Sequence, residues 1–354
     1  MDVEQLFRKA EESKASDLHL IVSCPPLLRI DGGIRPLETE GVLTAENMNK
    51  IFLQVTTQEQ RDQFNKNLEL DFSYSIPWGG HSRCNACMQQ GALSLAFRLQ
   101  PTSIPAIEDL GLPDVCVDLI VKPRGLVVVS GPTGSGKSTT LASMLQYLNN
   151  TEKRYVVTIE DPIEYRYPNI KCAFSQRELE ADTHSFANAL KHVLRQDPDV
   201  ILVGEMRDLE TVSAVLTLAE TGHLILSTGH APSAAQTVER IVDLFPPHER
   251  DSAQSRLASV LLGVLSQALV PRISGGRVAA IEIMLANSAI KNLIREGKTH
   301  LLANSIRTGG QLGMQTLDGA LVTLYRQRMI EWDTALSYCQ DKLEIEKLVG
   351  GMKV

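Results

Sequence analysis

The spacing of hydrophobic positions changes character near residue 100. Before that point, short alternating runs are interleaved with helical ones. Val3–Glu12 has apolar residues at helical spacing, and Asp17-Leu18-His19-Leu20-Ile21-Val22 alternates as a half-buried strand does. Leu27–Ile30 and Ile34–Leu37 flank Asp31-Gly32-Gly33, the pattern of a hairpin. Helical spacing returns over Thr44–Val55 and Gln58–Lys66. Three strand-like segments follow, Leu68–Tyr74, His81–Gln89 and Ala92–Leu99, the first two separated by Ile76-Pro77-Trp78-Gly79-Gly80. The pattern predicts a small α+β domain over residues 1–99. Pro101, Pro105 and Pro113 punctuate residues 100–113, which read as a linker and hinge.

From residue 114 onward, fully apolar runs alternate with amphipathic ones. Strands are predicted at Leu126–Ser130, Tyr155–Glu160, Val200–Val203, His223–Thr228 and Arg277–Met284. Helices are predicted at Lys137–Leu148, Ser185–Leu194, Leu209–Thr221 and Ala234–Phe245. Such alternation implies a mainly parallel sheet covered on both faces, with phosphates expected at the carboxyl ends of its strands. This α/β core spans 114–286. Residues 287–354 read as helical, at Ser288–Arg295, His300–Ser305, Leu317–Gln327 and Trp332–Gln340.

Composition narrows the function classes. A chain of 354 residues, 43% hydrophobic and 22% charged, fits about two soluble globular domains. A net charge of -7 with 5% aromatic residues argues against a basic nucleic-acid groove with stacking rings. No apolar run reaches the length of a membrane span, and Met1-Asp2-Val3-Glu4-Gln5 is unlike a signal peptide. The six scattered cysteines fit a reducing cytoplasm. Cys84 and Cys87, with His81 nearby, offer three zinc-ligand types on one strand-like segment, a poor basis for a tetrahedral site.

The chemistry concentrates in the second domain. Gly131-Pro132-Thr133-Gly134-Ser135-Gly136-Lys137-Ser138 matches G-x-x-x-x-G-K-[ST], between a strand-like and a helix-like run. Its glycines would turn N–H groups toward phosphates, Lys137 would reach the β/γ-phosphates, and Ser138 would bind Mg²⁺, with Thr139 following. ATP, or GTP, is therefore the expected ligand. Glu160, Asp161 and Glu164 lie at or just after the end of the next strand, where phosphoryl transfer needs groups to orient water and contact Mg²⁺. Glu164 is the candidate base; the alternative is a solvated acidic loop. Glu205 ends the apolar strand after Asp199 and is a candidate for Mg²⁺, directly or through water. His230 would share that sheet end and could sense the γ-phosphate. Arg83 and Arg98 could share one face of adjacent antiparallel strands and supply transition-state charge; otherwise they are solvated strand residues.

Together these segments resemble the secretion/pilus ATPase superfamily, and most closely the PilT-type retraction ATPases of type IV pili. Ala15–Leu20 resembles the family's first strand, Gly131–Thr140 its Walker A loop and Thr158–Glu164 its Asp box. Asp197–Asp208 resembles its Walker B segment and Glu220–His230 its His box. Ala289-Ile290-Lys291-Asn292-Leu293-Ile294-Arg295-Glu296 is similar to the retraction signature A-I-R-N-L-I-R-E, and Gly313–Asp318 is also a family segment. Two segments depart from the pattern. Thr228-Gly229-His230-Ala231 stands where the family usually has Thr-Leu-His-Thr, and His81 replaces an arginine while Arg83 is kept. The resemblance implies a PAS-like α+β first domain and a RecA-like P-loop NTPase domain with a helical C-terminal extension. It implies catalytic roles for Glu164, Glu205, His230, Arg83 and Arg98, with nucleotide held between the two domains. It also implies a cytoplasmic homo-hexamer, without a membrane span, acting on an inner-membrane pilus platform protein at the membrane's cytoplasmic face. The alternatives are a pilus-extension or type II secretion ATPase, a RecA-like nucleic-acid motor, and a nucleotide-binding scaffold that does not hydrolyse.

Overall fold

A computed structural model describes residues 2–30, 32–78, 81–99 and 103–350, apart from the His81 side chain. Asp31 and Gly79-Gly80 of the expected turns, and residues 100–102 of the expected hinge, lie outside the described residues. The chain divides into two compact units, Met1–Ser103 and Ile104–Val354.

In the first unit, capping sets the helix starts. Helix α1 (Val3–Glu12) is capped by Asp2, whose carboxylate accepts the Glu4 N–H at 3.2 Å. Helices α2 (Ala45–Val55) and α3 (Gln58–Asn67) both begin with capping boxes, Thr44 with Asn47 and Thr57 with Gln60. The strands are β1 (Asp17–Ile21), β2 (Leu27–Ile30), β3 (Gly33–Pro36), β4 (Glu69–Ser75), β5 (His81–Gln89) and β6 (Ala92–Leu99). They form one antiparallel sheet in the order β3-β2-β1-β6-β5-β4. Phe7 of α1 fixes the helix to the sheet, stacking on Tyr74 at 5.7 Å and meeting Phe97 edge-on at 5.2 Å. Cys84 and Cys87 sit three positions apart on β5, so the pleat sends them to opposite faces. Cys84 is buried, and burial pushes its thiol up to about 12. Among the described residues no group of three or more His, Cys, Asp or Glu side chains is placed to hold a metal ion.

The second unit is built on a seven-stranded sheet. In chain order it runs α4 (Val115–Ile120), β7 (Gly125–Ser130), α5 (Lys137–Thr151), β8 (Tyr155–Glu160), β9 (Ala173–Glu178), α6 (Phe186–Val193), β10 (Val200–Val203), α7 (Leu209–Glu220) and β11 (Leu224–Thr228). Helices α8 (Ala234–Asp243) and α9 (Arg250–Val260) and strands β12 (Leu261–Pro271) and β13 (Arg277–Leu285) complete it. The sheet order is β13-β12-β7-β11-β10-β8-β9, parallel except for the β12–β13 pair. Both faces are covered, which is why the strands lack alternation. Leu126 and Val128 join the core under α6–α9, while Val127 and Val129 join the core under α4 and α5. No helix among the described residues is long and apolar enough to cross a membrane.

Strands β9 and β12 and helices α4 and α9 were not expected. Strand β9 is a half-buried edge, A-F-S-Q-R-E, too polar to show a core run. Strand β12 begins where α9 ends, without turn residues, and carries Ser266 and Gln267 in its buried middle. The C-terminal helices are α10 (Ser288–Arg295), α11 (Leu302–Thr308), α12 (Leu317–Arg326), α13 (Trp332–Tyr338) and α14 (Lys342–Gly350), the last also unexpected.

Helix α10 packs mainly against α9 through Ile290 and Ile294, each fully buried, while Leu293 stays partly exposed. Ile290→Ala should therefore cost about 2–5 kcal/mol of stability in urea unfolding, and Leu293→Ala roughly 1 kcal/mol. Equal losses for the two would contradict this division of the helix.

Candidate nucleotide site

The loop between β7 and α5 is shaped by close approach and by left-handed backbone. Gly131 has φ +143°, and a Cβ there would lie 2.3 Å from the Gln267 carbonyl oxygen. Gly134 and Gly136 have φ +78° and +87°, conformations open to glycine at little cost. Pro132, Thr133 and Gly134 are exposed at the loop's tip, while Ser135 is buried. Helix α5 starts at Lys137 with no side-chain cap, leaving its first N–H groups to an anion. The Ser135 hydroxyl is buried and has no hydrogen-bond partner among the described residues. An uncapped helix start beside an orphaned hydroxyl and a buried ammonium is a donor set that fits phosphate oxygens.

Lys137 is 9% exposed, and its ammonium donates to the carbonyls of Gly131 at 2.9 Å and Pro132 at 3.0 Å. Burial lowers its pKa, while the charges of Glu164 and Glu205 oppose the fall. The charges of two acids from different strand ends therefore act on one lysine. Ser138, on the first turn of α5, is half-buried. The neighbouring Thr139 hydroxyl lies 3.0 Å from the Tyr165 hydroxyl, which ties α5 to the loop after β8. That loop is further held by Gln176, whose amide donates to the Tyr165 carbonyl at 2.8 Å. Asp161 and Glu164 on it are exposed.

Glu160, at the end of β8, stands in a different environment. Burial pushes its carboxyl up to about 7, against hydrogen bonds that include one from Gln176. Its folded pKa lies above the ordinary value, so the folded chain holds this proton longer than the unfolded chain. The stability it confers is complete below about pH 4.5 and is lost as pH rises through about 7. Glu160→Gln should abolish that loss. The stability of wild type relative to the variant should fall by about 3 kcal/mol across this window in urea unfolding. A difference that does not vary with pH would contradict it.

Glu205 follows β10 and is held from two sides. Arg207 Nε lies 2.6 Å from one carboxylate oxygen, and His230 Nε2 lies 3.5 Å from the other. His230 is carried by the loop after β11, which is tied to β7. The Ser130 hydroxyl donates to the Ala231 carbonyl at 2.6 Å and accepts the Ala231 N–H at 3.2 Å. A Cβ at Gly229 would lie 3.2 Å from Ser130 Oγ, so the small residues of this box let the loop sit close to β7. Beside His230 they also border a cleft of about 560 Å³, lined by Arg207, Thr228, Gly229, Arg240 and Ile241.

The structure thus brings Lys137, Glu164, Glu205 and His230 to one end of the sheet. Arg83 and Arg98 belong to the first unit, where they are direct cross-strand partners on β5 and β6. The row continues to Asp17 on β1 and Arg29 on β2. Asp17 accepts from Arg98 Nε at 3.1 Å and lies 3.6 Å from Arg29 Nε. The guanidiniums of Arg29 and Arg98 flank the Asp17 carboxylate, and Arg83 continues this charged row on β5. The sequence reading missed Arg29, Asp17, Ser130, Tyr165 and Gln176, because each acts through a partner distant along the chain.

Residues 97–276 match the family model described as "Type II/IV secretion system protein". The chain is 46% identical over 335 residues to the "Type IV pilus retractation ATPase PilT" of Pseudomonas aeruginosa, covering 95% of this chain and 97% of that one. It is 44% identical over 337 residues to a "Twitching motility protein" of Neisseria gonorrhoeae, covering 95% and 90%. Among solved structures, the "Pilus Retraction Motor PilT and Bound ADP" aligns with a TM-score of 0.91 at 41% identity, covering 98% of this chain and 99% of that one. With the family model spanning half of the chain and these relatives matched nearly end to end, the chain belongs to the type II/IV secretion system protein family, in its branch of PilT-type pilus retraction ATPases.

Proposed function

We propose that this chain hydrolyses ATP to ADP and phosphate and uses the energy to power type IV pilus retraction. The observation that carries the chemistry is that Lys137, Glu164 and Glu205 all follow the carboxyl ends of parallel strands, β7, β8 and β10, where the charges of the two acids act on the lysine. The family supplies the direction of work. Lys137 and the α5 N-terminus bind the β- and γ-phosphates. Glu164 orients a water for in-line attack and takes its proton, so the γ-phosphoryl bond to the ADP oxygen breaks as the new P–O bond forms. Ser138 and Glu205 would hold Mg²⁺, which supplies charge neutralisation on the phosphate oxygens; one or two protein ligands plus phosphates suit this ion. His230, set against Glu205, contacts the γ-phosphate and reports its loss. Arg83 and Arg98 supply further positive charge to the transferring group.

In the same reading, residues 1–99 form a PAS-like domain, 100–113 a hinge, 114–286 the RecA-like core and 287–354 a helical extension. ATP favours a closed arrangement of the two domains, and phosphate release reopens it. Six copies form a cytoplasmic ring that acts on an inner-membrane platform protein, and α10 couples hydrolysis to that partner.

The second reading, an extension or secretion motor, rests on the shared superfamily motifs. A pilus assay in a deletion strain separates them. Surplus fibres that do not retract, cured by this chain, support retraction; absence of fibres, cured by this chain, supports extension.

A further inference from the structure

The geometry points to Gln267 as the residue that orients the phosphate loop for nucleotide, an inference that rests on the nucleotide-binding reading above. Gln267 lies in the middle of β12, far from the loop in sequence, and is 4% exposed. Its register neighbour Ser266 pairs with Ser130, the last residue of β7 before the loop. That register brings Gln267 against the loop's back. Its amide Nε2–H donates to the Ser135 carbonyl at 2.5 Å. Its Oε1 accepts the Thr140 hydroxyl at 3.0 Å. One side chain thus bridges the loop and the first turns of α5.

The consequence follows from peptide geometry. In a planar trans peptide the C=O and N–H point in opposite directions. Anchoring the Ser135 carbonyl on Gln267 therefore turns the Gly136 N–H away from β12, toward the open side of the loop. Two of the loop's three glycines leave room for this brace. A Cβ at Gly136 would come 2.9 Å from Gln267 Nε2, and a Cβ at Gly131 would come 2.3 Å from the Gln267 carbonyl oxygen. Glycine at these positions thus serves the approach of β12 as well as that of a phosphate. Gln267 does not touch the nucleotide; it is a positioning residue that aims donors before the ligand arrives, which lowers the cost of binding.

The test compares wild type with Gln267→Leu and Gln267→Glu in the full chain, reading the affinity for fluorescent ADP and, separately, kcat and KM for ATP. Gln267→Leu should weaken ADP about tenfold and raise KM more than it lowers kcat, the scale of a hydrogen bond left unmade. Gln267→Glu carries the discriminating signature. Above neutral pH its carboxylate opposes the Ser135 carbonyl, and affinity should fall at least as far. On acidification the buried carboxyl regains a proton, donates to Ser135 and accepts from Thr140, so the ratio of its ADP affinity to that of wild type should climb toward one. Loss of packing alone would not recover on protonation. A ratio for Gln267→Glu that is constant with pH overturns the inference, as does Gln267→Leu binding ADP like wild type. Failure of wild type itself to bind ADP would sink the nucleotide reading instead, so the two failures are distinguishable.

Discussion

Replacing Lys137 with alanine should lower affinity for ATP by about 10²-fold or more, the scale of two charge-assisted hydrogen bonds lost at once. The ammonium is buried and donates to two loop carbonyls. Phosphate oxygens are better acceptors for it than neutral carbonyls. The charges of Glu164 and Glu205 oppose the fall in its pKa that burial causes. Titration with a fluorescent nucleotide checks the prediction. Retention of wild-type affinity would remove Lys137 from phosphate binding. The change also gives up bonds to the buried Gly131 carbonyl and to the Pro132 carbonyl, so urea unfolding of the variant separates lost binding from lost folding.

Glu164→Gln should separate binding from turnover. The side chain is exposed on the loop after β8, with no structural role that its amide analogue would upset. Affinity for ATP should stay within a few-fold of wild type, because an amide leaves the loop and lysine in place. Turnover should fall by about 10²-fold or more, the scale of a lost general base. Single-turnover phosphate release reads the chemical step directly. An unchanged rate would move the role of base to another group. Glu160 is the poorer candidate. It ends β8 itself, before the exposed loop that carries Glu164, and its carboxylate already accepts from the Gln176 amide.

Much of this was readable from residues alone, for identifiable reasons. Strand β10 occupies the run Val200–Val203 because apolar residues there are bounded by Asp199 and Gly204. Helices α2, α6 and α8 start where Thr44, Ser185 and Ser233 supply caps. The pairing of Arg83 with Arg98 on one face needed only that two adjacent strands be antiparallel. What was hidden depends on register and strand order. Asp17 enters the arginine row because β1 lies between β2 and β6, a placement no local pattern encodes. Ser130, Tyr165 and Gln267 look like ordinary strand or loop residues. Their roles exist only once β12 and the loops after β8 and β11 close on β7 and α5. Strand β12 was missed for a related reason: its boundary with α9 carries no glycine or proline, and its buried polar pair breaks the apolar run.

Release of inorganic phosphate from ATP by the purified chain, with and without Mg²⁺, tests the central claim most directly. Sustained phosphate release that requires Mg²⁺, matches ADP one for one and vanishes in Lys137→Ala is the predicted result. An absence of phosphate, or release that persists unchanged in Lys137→Ala, would contradict it.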